Sequence, residues 1–280
     1  MILFKSGAEL AFHLQKKHAS GSRIGFVPTM GALHDGHLSL VRQSRSQCSL
    51  TVSSIFINPT QFNDPRDFQK YPVTLEKDIY LLEKAGVGAL FLPEVEDLYP
   101  GGLQDLEKYD LGRLETLLEG KYRPGHFQGV CQAVRRLLDR VRPDDLFMGQ
   151  KDYQQCLVVR RLLDLMSSST VLHTCPILRE ADGLAMSSRN MRLSESERKK
   201  APLIYQSLVQ IKTGWQEGRP AGSVLEQARD LMSSEGLRVD YVEIARAADL
   251  APWHEGDEGM AVALVAASLG EVRLIDNMLL

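Results

Sequence analysis

Residues 23–37 read Arg23-Ile-Gly-Phe-Val-Pro-Thr-Met-Gly-Ala-Leu-His-Asp-Gly-His37, and this stretch decides the fold. Positions 23–27 read as a strand, 28–36 as a turn, and 37–47 as a helix with Leu38, Leu40 and Val41 on its apolar side. A strand, a Gly-bearing turn and a helix in that order open a mostly parallel α/β sheet, which binds ligands outside the carboxyl ends of its strands. A phosphate at such a turn meets backbone N–H groups and the positive end of the helix dipole. His34 and His37 flank Gly36, a residue that lets the backbone approach a ligand closely. Two neighbouring histidines on a turn mean little alone. Between this strand and this helix they point to a nucleotide site.

The same alternation continues outward. Strand-like runs at 50–57, 89–92, 146–148 and 171–177 are interleaved with helical patterns: Leu75, Ile79 and Leu82 after a candidate N-cap at Thr74, then Val130, Val134, Leu137 and Leu138, then 153–166. After Leu178 the pattern changes. A charged loop at 179–194 leads into helical stretches at 195–215 and 221–234, and strand-like runs at 239–244, 260–267 and 272–278 close the chain. The expected fold class is α/β: a Rossmann-like parallel sheet over residues 1–177 with a second, smaller α+β domain over residues 178–280 acting as a lid.

Composition narrows the function classes. The chain has 280 residues, 44% hydrophobic and 25% charged, with 22 Gly and 12 Pro, which excludes a disordered or collagen-like chain. Lys and Arg number 33 against 36 Asp and Glu, a net charge of -3, so bulk charge gives no grip on a long nucleic acid. Any anion handled should be small and met by a local cluster. The four cysteines include no Cys-x-x-Cys pair, against both a zinc site and a disulfide framework. Cys131, Cys156 and Cys175 fall in apolar patterns and read as buried thiols, and Arg135 and Arg136 as a solvated helix face. The start of the chain lacks a signal-peptide pattern and the apolar run at 259–270 is too short for a bilayer, so a soluble, cytoplasmic protein is expected.

His34-Asp-Gly-His37 at the head of a helix resembles the nucleotidyltransferase superfamily, which includes the class I aminoacyl-tRNA synthetases. The longer string Pro28-Thr-Met-Gly-Ala-Leu-His-Asp-Gly-His37 looks like the pantothenate synthetase family in particular. Phe56-Ile-Asn-Pro-Thr-Gln-Phe62, Arg123-Pro-Gly-His-Phe-Gln-Gly-Val130 and Met148-Gly-Gln-Lys-Asp-Tyr-Gln-Gln155 agree with it. So does Met186-Ser-Ser-Arg-Asn190, which stands where the superfamily carries its Lys/Ser-rich loop.

The resemblance implies ATP-dependent condensation of (R)-pantoate with β-alanine through a pantoyl-adenylate, releasing AMP and pyrophosphate, in a homodimer. It implies an ATP site made by Met30, Gly31, Ala32, Leu33, His34, Asp35, Gly36 and His37, continued by Gly149, Gln150, Lys151 and Asp152, then by Leu178, Met186, Ser187, Ser188 and Arg189. His34, His37 and Lys151 would be the catalytic groups, with His37 donating a proton to the departing pyrophosphate. Gln61 and Gln155 would hold pantoate, Asn58 and His126 beside them, and Gln61 would also border the β-alanine site. An amide side chain can both donate to and accept from the hydroxyls of pantoate. Mg2+ is implied by the triphosphate chemistry. The family often carries two acidic residues at the positions of Lys77 and Asp78; with Lys77 here, Asp78 is left either as a metal group acting through water or as a solvated helix residue. A plain adenylyltransferase of the same superfamily and a non-catalytic nucleotide-binding relative are the alternative readings.

Overall fold

The computed structural model describes residues 1–280. In chain order the first elements are β1 (Ile2–Phe4), α1 (Gly7–Ala19), β2 (Ile24–Thr29), α2 (Asp35–Gln47), β3 (Leu50–Ile55), α3 (Pro65–Gln69), α4 (Leu75–Lys84), β4 (Ala89–Phe91) and α5 (Val95–Leu98). They are followed by α6 (Leu118–Tyr122), α7 (His126–Val141), β5 (Asp145–Gly149), α8 (Tyr153–Leu165) and β6 (Val171–Cys175). The rest comprises α9 (Glu195–Lys200), α10 (Leu203–Gln216), α11 (Ala221–Ser234), β7 (Arg238–Arg246), β8 (Ala261–Leu269) and β9 (Val272–Leu279). No helix is long and apolar enough to cross a membrane.

The chain divides into two compact units, Met1–Gly149 with Val158–Pro176, and Gln150–Leu157 with Ile177–Leu280. Residues 150–157 therefore group with the second unit, although their sequence continues the α/β alternation of the first. The reason is local: the Gln150 side chain bonds Asn277 on β9, and the Tyr153 hydroxyl bonds the Ala247 carbonyl.

The first unit is built on a six-stranded sheet in the order β1-β4-β3-β2-β5-β6, parallel throughout. Its inner strands are buried along nearly their whole length rather than on alternate residues, β4 with apolar side chains throughout and β3 with Thr51, Ser53 and Ser54 buried among its apolar ones. Val27, Leu40, Val41, Leu82, Leu90 and Phe147 pack one side of it. The sequence pattern does not announce β1, but it does announce α1, which Ser6 caps by accepting from the Glu9 N–H, a Ser-x-x-Glu start.

The second unit carries the antiparallel sheet β7-β8-β9. Helices α10 and α11 contribute Ile204, Leu208, Ile211, Val224, Ala228 and Met232 to one core with Val242, Ala263 and Val265 of the sheet. The stretch 195–215 is not one helix. It breaks between α9 and α10 at Ala201 and Pro202, where proline has no N–H to continue the ladder.

All four cysteines are free, and Cys131, Cys156 and Cys175 are buried as expected. Burial pushes the Cys131 thiol up to about 12 and the Cys175 thiol up to about 11, which leaves both as inert core groups.

Asp145 opens β5 at the amino-terminal edge of the sheet. Its carboxylate accepts from Arg23 Nε at 2.6 Å, Arg23 Nη2 at 2.7 Å and Cys48 Sγ at 3.4 Å, and contacts His173 Nε2 at 2.8 Å. Burial pushes this carboxyl up, but the bonds from Arg23, His173 and Cys48 together outweigh it and hold the group below the usual carboxylate range. A depressed folded-state pKa stabilises the fold above the unfolded value and loses that contribution as pH falls. Asp145→Asn should therefore lower the melting temperature at neutral pH, with the gap to wild type closing below about pH 4. Because ligands bind at the opposite edge of such a sheet, its kcat/KM should stay at the wild-type value. Paired thermal melts across pH and steady-state kinetics check both halves.

Candidate active site

The turn between β2 and α2 is held in an unusual shape from within the first unit. Gly31 has φ 81° and Ala32 φ 49°, two consecutive left-handed residues, of which only glycine is at ease there. A Cβ on Gly31 would also lie 3.1 Å from Asp78 Oδ2 and 3.2 Å from Ile55. What fixes the turn is Asp78 of α4. Its Oδ2 accepts from the Ala32 N–H at 2.9 Å and its Oδ1 from the Leu33 N–H at 2.8 Å. Thr74 Oγ1 donates to the same Oδ1 at 3.0 Å, so Thr74 stands at the N-cap position of α4 yet spends its hydroxyl on Asp78 instead of capping. Asp78 is 1% exposed. It is therefore not the solvated helix residue that one reading expected, and its oxygens accept from Ala32, Leu33 and Thr74.

The two histidines continue this architecture. His34 is the N-cap of α2, its Nδ1 accepting from the Gly36 N–H at 3.2 Å, while His37 Nδ1 accepts from the His34 N–H at 3.4 Å. The rings lie 4.1 Å apart, tilted by 43°. An Nδ1 that accepts carries no proton, so in this arrangement each neutral ring bears its proton on Nε2. A cleft of about 410 Å³ lies against the same turn, lined by Met30, Gly31, Ala32, Phe56, Val73 and Asp78 among others, a size suited to a small ligand.

Two motifs that are separate in sequence prove to be one structure. Asn58 is 1% exposed; its Nδ2 donates to Gln61 Oε1 at 3.1 Å and to the Gly129 carbonyl at 2.9 Å. Its Oδ1 accepts from Thr60 Oγ1 at 3.1 Å and from the Tyr99 hydroxyl at 2.9 Å. Asn58 is thus a buried hub that aims Gln61, with its polar atoms already spent. His126, 5% exposed, meets the Gln61 carbonyl through Nδ1 at 2.8 Å and Arg123 through Nε2 at 3.0 Å. Gly129 makes the approach of α7 possible, since a Cβ there would fall 2.2 Å from the Thr60 carbonyl oxygen. Gln61 Nε2 lies 3.0 Å from Met30 Sδ, which puts this amide against the turn that follows β2. Arg136 is not a solvated group as its helical position suggested. It pairs with Glu107 and covers the Tyr99 ring at 4.5 Å, supporting Tyr99 beneath Asn58.

The remaining site candidates belong to the second unit, apart from Gly149, which ends β5. A single turn of 3₁₀ helix, Gln150–Asp152, carries Lys151 and Asp152, and half-buried Gln155 follows on α8. Lys151 Nζ lies 3.9 Å from Asp152 Oδ1. Leu178 and Met186 close a hairpin, the Met186 N–H donating to the Leu178 carbonyl at 3.1 Å. Ser187 caps the following turn, Ser188–Arg192, by accepting from the Arg189 N–H. No group of three or more His, Cys, Asp or Glu side chains is arranged to hold a metal ion. Sequence reasoning missed half-buried Arg179 and buried Asp276 and Asn277, a polar set that adjoins these segments. The visible signal was two adjacent polar residues inside the apolar closing strand.

The chain as a whole is similar to known proteins. The family model described as pantoate-beta-alanine ligase matches residues 2–279. The chain is 42% identical over 280 residues to the pantothenate synthetase of Porphyromonas gingivalis, covering 99% of this chain and 98% of that one. It is 45% identical over 273 residues to that of Alcanivorax borkumensis, covering 97% and 95%. Among solved structures, pantothenate synthetase from Thermus thermophilus superposes with a TM-score of 0.92 at 40% identity, covering 99% of each chain. Pantoate-beta-alanine ligase from Francisella tularensis, complexed with beta-gamma ATP and β-alanine, gives 0.84 at 35% identity, covering 100% of this chain and 97% of that one.

Asp78→Asn keeps the shape of the side chain but turns one acceptor into a donor facing a backbone N–H. An N–H left unpaired in the interior costs about 1–3 kcal/mol, so KM for ATP should rise by about ten- to a hundredfold. Steady-state ATP titrations, on protein verified as folded by circular dichroism, test this.

Proposed function

The chain belongs to the pantoate–β-alanine ligase family, and from that premise we propose how its residues divide the work of joining (R)-pantoate to β-alanine with ATP. A carboxylate does not form an amide at neutral pH without a better leaving group. In the proposed first step a pantoate carboxylate oxygen attacks the α-phosphorus of ATP, the bond from that phosphorus to the bridging oxygen breaks, and pyrophosphate leaves with its electron pair. In the second step the β-alanine amine attacks the acyl carbon and the carbon–oxygen bond breaks. AMP departs with the former carboxylate oxygen, and the amine proton passes to solvent. The observation that supports this route is the contact of Gln61 with Met30, which sets an amide suited to the hydroxyls of pantoate beside the nucleotide turn.

Charge builds on the phosphate oxygens as pyrophosphate departs, so preorganised donors are the main contribution of the protein. Residues Met30 to His37 serve the phosphates in this reading, with Lys151, Ser187, Ser188 and Arg189. Asp152 takes the ribose and the backbone at Gly149, Gln150, Leu178 and Met186 completes the nucleotide contacts. Gln61 and Gln155 hold pantoate, and Gln61 borders β-alanine. Asn58 and His126 act through Gln61. His34 and His37 act as Nε2–H hydrogen-bond donors. Proton donation by His37 would first require a proton on Nδ1, at the expense of its bond to the His34 N–H. Mg2+ bound to the triphosphate would shield its charge during attack, and Asp78 would be the nearest candidate carboxylate, acting through water. A cytoplasmic homodimer is the assembly that goes with this reading.

Exchange of labelled pyrophosphate into ATP should require pantoate and proceed without β-alanine, and one carboxylate oxygen of ¹⁸O-labelled pantoate should appear in AMP. AMP free of the label would exclude the acyl-adenylate. His37→Gln, whose amide places a donor near the position of Nε2, should keep a measurable part of the exchange rate. His37→Ala should lose about 10²- to 10³-fold, the effect of removing one preorganised donor. Equal loss in the two variants would favour proton transfer.

A further inference from the structure

Strand β9 carries two adjacent polar residues that no motif includes, Asp276 at 3% and Asn277 at 2% exposure. Asn277 Nδ2 donates to the Gln150 carbonyl at 2.9 Å and to the Lys151 carbonyl at 3.0 Å, and its Oδ1 accepts from Gln150 Nε2 at 3.1 Å. The whole side-chain amide is therefore devoted to one turn of the backbone. Two donors on one nitrogen beside one acceptor are what Asn supplies; Asp lacks the donors and Leu lacks both.

The strand is itself anchored. Asp276 Oδ1 accepts from the Asn277 N–H at 2.8 Å, and Arg179 donates to both Asp276 oxygens, at 2.5 and 3.1 Å. Arg179 also donates to the Gly183 carbonyl at 3.0 Å and lies over the Tyr205 ring at 4.3 Å. The same short stretch of β9 thus grips the turn that carries Lys151 and the hairpin that leads to Met186 and Arg189.

We propose that Asn277 is a positioning residue for Lys151, holding the Gln150–Asp152 turn in the one conformation that presents the Lys151 ammonium group to ATP. In a trans peptide the carbonyl and the N–H point to opposite sides. With the Gln150 and Lys151 carbonyls turned to Asn277, the N–H groups of Lys151 and Asp152 face away from β9, and the Lys151 side chain leaves a backbone that cannot rotate freely. Loss of Asn277 frees that rotation without removing any group that touches substrate. The proposal rests on the reading of Lys151 as a phosphate ligand, and it implies that adenylation depends on Asn277 while the later aminolysis does not.

The test uses Asn277→Asp, near in shape but without the donors, and Asn277→Ser, which introduces no buried charge. Each is measured on folded protein for pyrophosphate exchange and for single-turnover reaction of synthetic pantoyl-adenylate with β-alanine. Exchange kcat/KM for ATP should fall by at least about tenfold in both variants, and aminolysis should stay within about twofold of wild type. Adding Asn277→Ser to Lys151→Ala should cost less than about a further twofold, because the two act as one unit. Exchange near the wild-type rate in either folded variant, or equal loss in the two half-reactions, would overturn the proposal. A Lys151→Ala enzyme with full exchange activity would instead remove the premise about Lys151, an outcome told apart by that single variant, and the proposal would fall with it.

Discussion

Two backbone N–H groups in the turn after β2, those of Ala32 and Leu33, point to the carboxylate of Asp78, and the shape of that turn and the start of α2 depend on that bond pair. A buried N–H without an acceptor is costly, and a left-handed alanine is strained in its own right. One carboxylate from α4 answers both amides while the turn holds this strained shape. The start of α2 then has a fixed origin, and His34 and His37 follow from it, each tied through Nδ1 to a backbone N–H. The acidic residue that the family resemblance offers to a metal serves here as part of the scaffold.

The same logic of buried polar groups governs the neighbouring segments. Asn58 joins Gln61, Tyr99 and Gly129, so the amide suited to an organic acid is aimed from behind by groups that never reach the solvent. Asn277 does for the Gln150–Asp152 turn what Asn58 does for Gln61. In each case a side chain with both donor and acceptor sits beneath a residue that resembles a ligand contact, and the contact residue owes its direction to the layer below. The ionic pair of Arg23 and Asp145 lies at the other edge of the parallel sheet, where it ties β5 and serves stability.

The parallel sheet was legible because its central strands and helices follow strict local rules: apolar runs, a Gly-bearing turn, and helical spacing in 130–138. Strand β1 was not, since three residues with Ile2 and Leu3 exposed at a sheet edge carry no burial pattern. The site residues came from motifs, and motifs record which residues recur near a ligand without recording what each one touches. Asp78 and Asn58 were therefore noticed without their protein partners, since only tertiary contact shows that one meets the Ala32 and Leu33 amides and the other Gln61, Tyr99 and Gly129. Asn277 and Arg179 lie over 80 residues apart in sequence and meet only when β9 folds onto the hairpin. No local pattern could join them.

The central claim is that this scaffold makes a free-standing acyl-adenylate before the amine takes part. Rapid quenching of enzyme mixed with ATP and (R)-pantoate, without β-alanine, tests it directly by mass spectrometry. The account predicts pantoyl-adenylate and pyrophosphate in amounts stoichiometric with enzyme, and consumption of the adenylate on adding β-alanine at a rate no slower than turnover. Pyrophosphate release that begins only when β-alanine is present, with no adenylate at any time, would contradict it.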